Sequence, residues 1–428
     1  MNTSSSPIKP DWRKIMSGRR YARRQRGDLV LKLIGLSALT IAIGVLVILI
    51  ASLIQTGHYA FTQSYLNLKV DISTEFVSKE DPFKGRYRNI INDALAKEFP
   101  DVTNRAEIRK ITGIPTPAAQ YLLRDYVVSN PDLIGKTIDF SVPLSDPYDQ
   151  LNKRLINPDT PEEFRRLKND QVGWFDSLKE RGLVSTHFNW GLFTNADSRF
   201  PEIAGLAGAL SGSFWALLVC FLISFPMGIG AAIYLEMFAP KNRVTDLIEI
   251  NINNLAAVPS VVFGLLALAV FLNWFGMPRS APLVGGLTLA LMTLPTIIIA
   301  TRAALKAVPP SITEAALGVG ASKHQAVFHH VLPVALPGIL TGTIIGLAQA
   351  LGETAPLLLI GMNAFLTAVP DGPLAAFAAF PTQMLIWADS PERGFVSRTS
   401  AAILVLLGFL ITMNMLAVYL RSKFEKSV

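Results

Sequence analysis

The chain has 428 residues, of which 50% are hydrophobic and only 17% charged, with a mean hydropathy of +0.38 and a formal net charge of +7. Soluble chains are about 25% charged, so composition excludes an ordinary cytosolic enzyme, along with fibrous, disordered and disulfide-rich classes; the lone Cys220 forms no internal disulfide. Residues 55–204 hold 19 Lys/Arg and 21 Asp/Glu, 40 of the 71 charges, which is the pattern of an integral membrane protein with one folded extramembrane insert.

Residues 1–28 form a basic tail, read as cytoplasmic. The run 29–54 is apolar except for Lys32, placed to snorkel into the headgroups. It is too long for the core of a cleaved signal peptide and is read as the first transmembrane helix. Residues 55–204 then form a periplasmic α+β insert. Leu66-Asn67-Leu68-Lys69-Val70-Asp71-Ile72 alternates as a half-buried strand does, and 87–99 and 161–183 have helical spacing, the latter opening on Thr160-Pro161-Glu162-Glu163. No catalytic or metal constellation occurs in the insert.

Five further spans follow, at about 206–237, 250–272, 281–299, 336–362 and 400–420, within a core of residues 205–420; residues 421–428 form a short tail. Pro226, Pro259, Pro295, Pro337 and Pro356 sit in or near these spans, where freed carbonyls need other partners. With the N-terminus inside, sixteen Lys/Arg lie on the cytoplasmic side. Only Arg279, Arg393 and Arg398 lie in short external loops, and Arg302 is read as a headgroup anchor, with a counter-charge to a carboxylate within the spans as the alternative. The expectation is an all-α polytopic membrane protein of six transmembrane helices, with both termini cytoplasmic and the α+β insert outside.

The loop 308–333 is the most informative stretch. Pro309-Pro310 ends the fourth span. Ser311 and Glu314 have capping-box spacing, which predicts a short helix from Ile312 to about Leu317. Gly318-Val319-Gly320 breaks it with two residues able to take positive φ, and Ser322/Gln325 starts a second short helix. Ala315, Ala316, Gly318, Gly320 and Ala321 are small enough for another protein's backbone to come close.

Glu314-Ala315-Ala316, then Gly320, then Leu332-Pro333 resembles the EAA motif of ABC importer permeases. His330 stands where that family usually has an aliphatic residue. The resemblance covers roughly 206–420 and implies the type I importer permease fold, with this loop as the coupling helix that docks on an ATPase subunit. Gly352-Glu353-Thr354-Ala355-Pro356-Leu357-Leu358 and Phe380-Pro381-Thr382-Gln383-Met384 resemble the PstA-type permeases of phosphate importers, in a long variety with an N-terminal extension and a periplasmic insert. Many of those relatives carry arginine at the position of Gln349. The resemblance implies a second, homologous permease (PstC-like), two ATPase subunits (PstB-like) and a periplasmic phosphate-binding protein (PstS-like), in a bacterial inner membrane, with phosphate as the transported substrate.

The chain has no phosphate-binding P-loop, no catalytic triad, no paired carboxylate site and no metal-ligand spacing. It is therefore expected to be no enzyme and to bind no cofactor, ATP and Mg being held by the partner ATPase; nor is nucleic acid an expected partner. A carboxylate within a span is costly and usually faces a cavity or the bundle interior, so Glu353 is a candidate for the translocation pathway or gate. Gln349, on the same helix face at i, i+4, and Thr354 join it; a helix-locking carboxylate is the alternative. Gly338, Gly342 and Gly346 form a helix-packing face, either against the paired permease or inside this chain. A permease for another oxyanion, such as molybdate or sulfate, stays open. So does a membrane receptor with residues 55–204 as its sensor.

Overall fold

The computed structural model describes residues 19–369 and 372–425; Lys9, Arg13, Lys14 and Lys426, all counted for the orientation, lie outside them. The chain divides into two compact units, one ending at Gln55 and the other beginning at Thr56. The first is built on the helix Arg19–Gly57, 39 residues long. At about 1.5 Å per residue it measures roughly 58 Å, well beyond a hydrocarbon core of about 30 Å. Leu31 and Ile48 are each 70% exposed, as suits an apolar helix surface facing lipid.

In the second unit, Thr62–Asp71 (β1), Thr137–Pro143 (β2) and Val184–Phe188 (β3) form an antiparallel sheet with β1 in the centre. The alternation along β1 buries Leu66, Leu68 and Val70 on one face and leaves Lys69 exposed. The buried face packs on the helices Tyr87–Glu98, Ala119–Ser129 and Asn169–Glu180. The helix expected from residue 161 begins instead at Asn169, after a single turn at Glu162–Phe164. Its start is fixed by Gln171 Oε1, which accepts from the Lys168 amide at 3.0 Å, while Arg165 Nη1 is held by the Pro158 carbonyl at 2.7 Å. The expected α+β insert is present.

Five helices among the described residues are long and apolar enough to cross a membrane: Arg23–Phe61, Ala207–Phe238, Pro282–Lys306, Lys323–Gly352 and Gly394–Lys423. The expected single span at 250–272 is a correction. It is two helices, Arg243–Ala256 and a second starting at Ser260, bent by 98°. Pro259 disfavours helical backbone at Val258 and supplies no amide to continue the ladder. Arg243–Ala256 starts where Asn242 Oδ1 accepts from the amides of Val244 and Thr245 at 3.0 and 2.9 Å, and none of its residues is buried. The span at 336–362 is also broken. Its helix ends at Gly352, and a separate turn, Ala355–Leu359, follows.

The insert and the membrane helices share a charged interior. Arg398, counted above as an external-loop charge, is only 3% exposed, at the start of the last helix. It donates to Ala204 O at 2.6 Å and to Gln63 Oε1 at 3.2 Å. Nearby, Lys153 Nζ pairs with Asp149 at 2.5 Å and donates to the carbonyls of Tyr59 and Thr62 at 2.9 and 2.7 Å. Glu202, just before the second span, is 6% exposed. Burial pushes its carboxyl above the ordinary value of 4.5; the Thr116 hydroxyl and the more weakly felt Arg398 charge pull the other way. A carboxyl raised by folding stabilises the fold in its neutral form, so this contribution is present below pH 4.5 and is lost as pH rises through the raised value. Glu202→Gln is expected to unfold at a higher temperature than the parent at pH 8, with the difference closing towards the acid end of a pH series followed by circular dichroism.

Candidate coupling loop and transport pathway

The short helix of the 308–333 loop runs Pro310–Gly318. Pro309 is its cap residue, and no Ser311–Glu314 capping box forms. Pro310 at the first position already fits helical φ and lacks the amide a cap would serve. Ser311, Glu314, Ala315 and Gly318 are exposed and Ala321 is half-buried, but Ala316 is buried inside this chain and is closed to a partner. Of the two glycines expected to turn the chain, only Gly320 has positive φ, at +91°; Gly318 ends the helix. The Ser322/Gln325 box does form, at 3.3 and 2.8 Å. The helix it opens is not short, however. It continues through a wide turn at Ala326–Val331 into Leu332–Gly352. The loop also exposes Leu317 (46%) and Val319 (87%), two apolar residues that flank the elbow.

Beside this helix lies an ion-pair cluster. Arg302 contacts Glu236 at 3.2 Å and Glu249 at 2.6 Å, and Lys306 reaches Glu236 at 3.5 Å. Arg302 therefore ties Ala207–Phe238, Arg243–Ala256 and Pro282–Lys306 together, which corrects its reading as a headgroup anchor. Glu236, Lys306 and Glu314 line one open cleft of about 400 Å³, with Pro310 and Thr313 from the loop helix.

Glu353 does not stand within a helix. Its backbone is extended (φ −74°, ψ 119°), so the expected i, i+4 face shared with Gln349 ends one residue too early. Pro356 accounts for the break, since it cannot supply the amide that a continuous helix needs at that point. Glu353 is half-buried and makes no side-chain hydrogen bond or ion pair among the described residues; Gln349 is exposed. Thr354 begins the following turn, its carbonyl accepting from Leu358 N at 2.9 Å. The glycine face packs within the chain: a Cβ on Gly338 would meet Ala304 at 2.9 Å, one on Gly342 would collide with Ala300, and Gly346 lies on Thr296. Gln383 is 1% exposed, and its Nε2 has no hydrogen-bond partner among the described residues.

Residues 224–426 match the family model described as "Binding-protein-dependent transport system inner membrane component". Residues 18–162 match a "Domain of unknown function (DUF3333)". The phosphate transport system permease protein PstA of Yersinia pestis is 31% identical over 214 residues, covering 50% of this chain and 71% of that protein. The chain belongs to the binding-protein-dependent transport system inner membrane component family. PstA of Mycobacterium leprae is also 31% identical, over 53% of this chain and 75% of its own. The probable ABC transporter permease YqgI of Bacillus subtilis is 33% identical over 44% of this chain, which spans less than two thirds (63%) of that relative. An amino acid ABC transporter crystal structure is similar at 22% identity and a TM-score of 0.38, covering 52% of this chain and 93% of its own. An inward-facing MetNI methionine transporter structure gives 16% and 0.40, over 51% and 96%. The fold is that of an ABC importer permease, and the family is a transport component, not a catalytic one.

The structure thus brings Glu314 to a charged cluster and leaves Gln349, Glu353 and Thr354 at a helix break. Sequence reasoning passed over Glu236, Glu249 and Gln383. A signal existed for the first two, since each is an acidic residue at the edge of an apolar run with Arg302 and Lys306 as the available cations. Replacing Glu236 and Glu249 together by glutamine strands Arg302, whose side chain is only 13% exposed. Unfolding of the purified chain is expected to lose about 1–3 kcal/mol, less than for a fully buried pair because the site lies near the surface.

Proposed function

We propose that this chain is a permease subunit of an ATP-driven importer of inorganic phosphate. It pairs with a second, homologous permease in a complex with two separate ATPase subunits, docking on them through the 311–331 loop. A periplasmic binding protein delivers the anion, and both termini face the cytoplasm. The observation that carries the reading is the exposed Pro310–Gly318 helix ending in the Gly320 elbow, on an EAA sequence held between two spans. Phosphate is supported by the relatives named as phosphate transport permeases at 29–31% identity. In this reading ATP-driven approach of the two ATPase subunits moves the loop helix. Arg302 and its carboxylates transmit that motion to the second and fourth spans. Glu353, without a side-chain partner among the described residues and at a helix break, lies in the pathway or gate, with Gln349 and Thr354 beside it.

Gly320 separates docking from folding. Beyond its chain neighbours no atom lies within 4 Å of a Cβ built there, so alanine meets no clash within the chain, and the positive φ puts about 1 kcal/mol of backbone strain on alanine and tryptophan alike. Both variants are expected to unfold at similar temperatures, while only Gly320→Trp loses co-purification of the ATPase. Normal association and coupled ATP turnover in Gly320→Trp would sink the docking role.

Glu353→Gln keeps shape and hydrogen bonding but removes charge. The assembled complex is expected to lose most uptake of labelled phosphate, whereas a purely structural carboxylate predicts near-parental uptake in Glu353→Gln and poor assembly in Glu353→Leu. Competition of that uptake by molybdate or sulfate decides among oxyanions.

A further inference from the structure

The insert holds a basic cleft that the transport reading does not use. It lies between the helices Tyr87–Glu98, Arg105–Ile111 and Ala119–Ser129, with a volume of about 320 Å³. Arg88 and Arg109 line it from two different helices, with Asn92, Thr112, Thr116 and Gln120 between them and no carboxylate in the lining.

Several other basic groups of the insert are paired with carboxylates. Lys110, next to Arg109 in the chain, contacts Asp170 at 2.5 Å; Arg181 pairs with Glu98, and Arg166 with Asp146 at 2.9 Å. Arg88, Arg109 and the Asn92 amide make no ion pair or side-chain hydrogen bond among the described residues, and both guanidiniums are exposed. The hydroxyl of Thr112 already donates to Arg109 O at 3.1 Å, Gln120 Nε2 donates to Pro117 O at 3.4 Å, and the Thr116 hydroxyl is engaged by the Glu202 carboxyl, so the charged donors of the cleft are the two forks, with the Asn92 amide beside them.

The floor is rigid. Thr116 N donates to Pro143 O at 2.9 Å, Ser145 N to Ile114 O at 2.9 Å, and Pro115 bridges to Leu144. The end of β2 therefore fixes the 114–116 segment under the cleft before any ligand arrives. Two planar guanidiniums over a fixed floor suit a compact anion with several oxygens, because each fork can present two N–H groups to two oxygens at once.

We propose that the insert binds a free tetrahedral oxyanion between Arg88 and Arg109. The choice of inorganic phosphate as probe rests on the proposed transport function, but the cleft does not. The test is equilibrium dialysis of labelled phosphate against the full-length chain in nanodiscs at low ionic strength, without ATP or binding protein. Arg88→Ala and Arg109→Ala are each expected to weaken one saturable site at least tenfold, and the double variant to abolish it. Arg88→Lys, which keeps charge and loses the fork, falls between. Unfolding temperatures should not move, since neither side chain has a partner to lose.

Sulfate or molybdate bound at the cleft in preference to phosphate upholds the oxyanion site and counts against phosphate as cargo. Parental phosphate binding in the double variant, or no saturable binding to the parent, overturns the proposal whatever the transport assays show. Loss of binding-protein association with unchanged phosphate binding also overturns it, and makes the cleft a protein-docking patch.

Discussion

The close crossing of Pro282–Lys306 with Leu332–Gly352 is the contact on which the rest of the membrane unit depends. Gly338, Gly342 and Gly346 bring the second helix against Ala304, Ala300 and Thr296 of the first, at separations that leave no room for a Cβ at the first two positions. In lipid no hydrophobic force draws helices together, so backbone proximity and dispersion along such a face must do so. These two helices flank the 308–333 loop. Their crossing therefore fixes both ends of the loop, and the loop helix is held at one end of the bundle although few of its own residues are buried.

Two guanidiniums withdrawn from solvent are each answered by groups from other elements. At the loop end, Arg302 is shared by Glu236 and Glu249 and links three helices. At the insert end, Arg398 is enclosed by Ala204 O and Gln63, with Asp149 and Lys153 paired nearby. Desolvating such groups costs several kcal/mol each, which restricts the geometries that can accommodate them. The two clusters act as registers: one sets the helices around the 308–333 loop, the other sets the insert on the last span.

Prolines decide where helices stop. Pro259 divides what composition presents as one span, and Pro356 accounts for the end of another just before Glu353. Non-helical backbone at such depth is tolerated where protein or a water-filled cavity surrounds it. A half-buried carboxylate without a partner among the described residues, at one of these breaks, is a different object from a carboxylate on a continuous helix face. It can be reoriented by motion of either flanking segment. The buried, unpartnered Gln383 amide is a second polar group of this kind, and such groups in native structures usually have a reason to exist.

Local composition was enough to identify a membrane protein, the charged insert, the alternating strand through Leu66, Leu68 and Val70, and the Ser322/Gln325 helix start. Each depends on periodicity, or on hydrogen bonds between residues three apart. The EAA residues also stood out, because small residues beside a glycine turn form a contiguous pattern. What failed was one local reading and several features settled by distant partners. Ser311 and Glu314 have the spacing of a capping box, but Pro310 removes the need for it. The glycine face could have met either this chain or another, and only the packing placed it on Ala300 and Ala304. Arg302 and Arg398 read as surface charges because a cation's partners lie tens or hundreds of residues away: Glu236 and Glu249 for one, Gln63 and Ala204 for the other. Sequence fixes which segments are apolar and where local hydrogen bonds start a helix; tertiary structure alone decides which charges meet, since that depends on distances through space that no local pattern encodes.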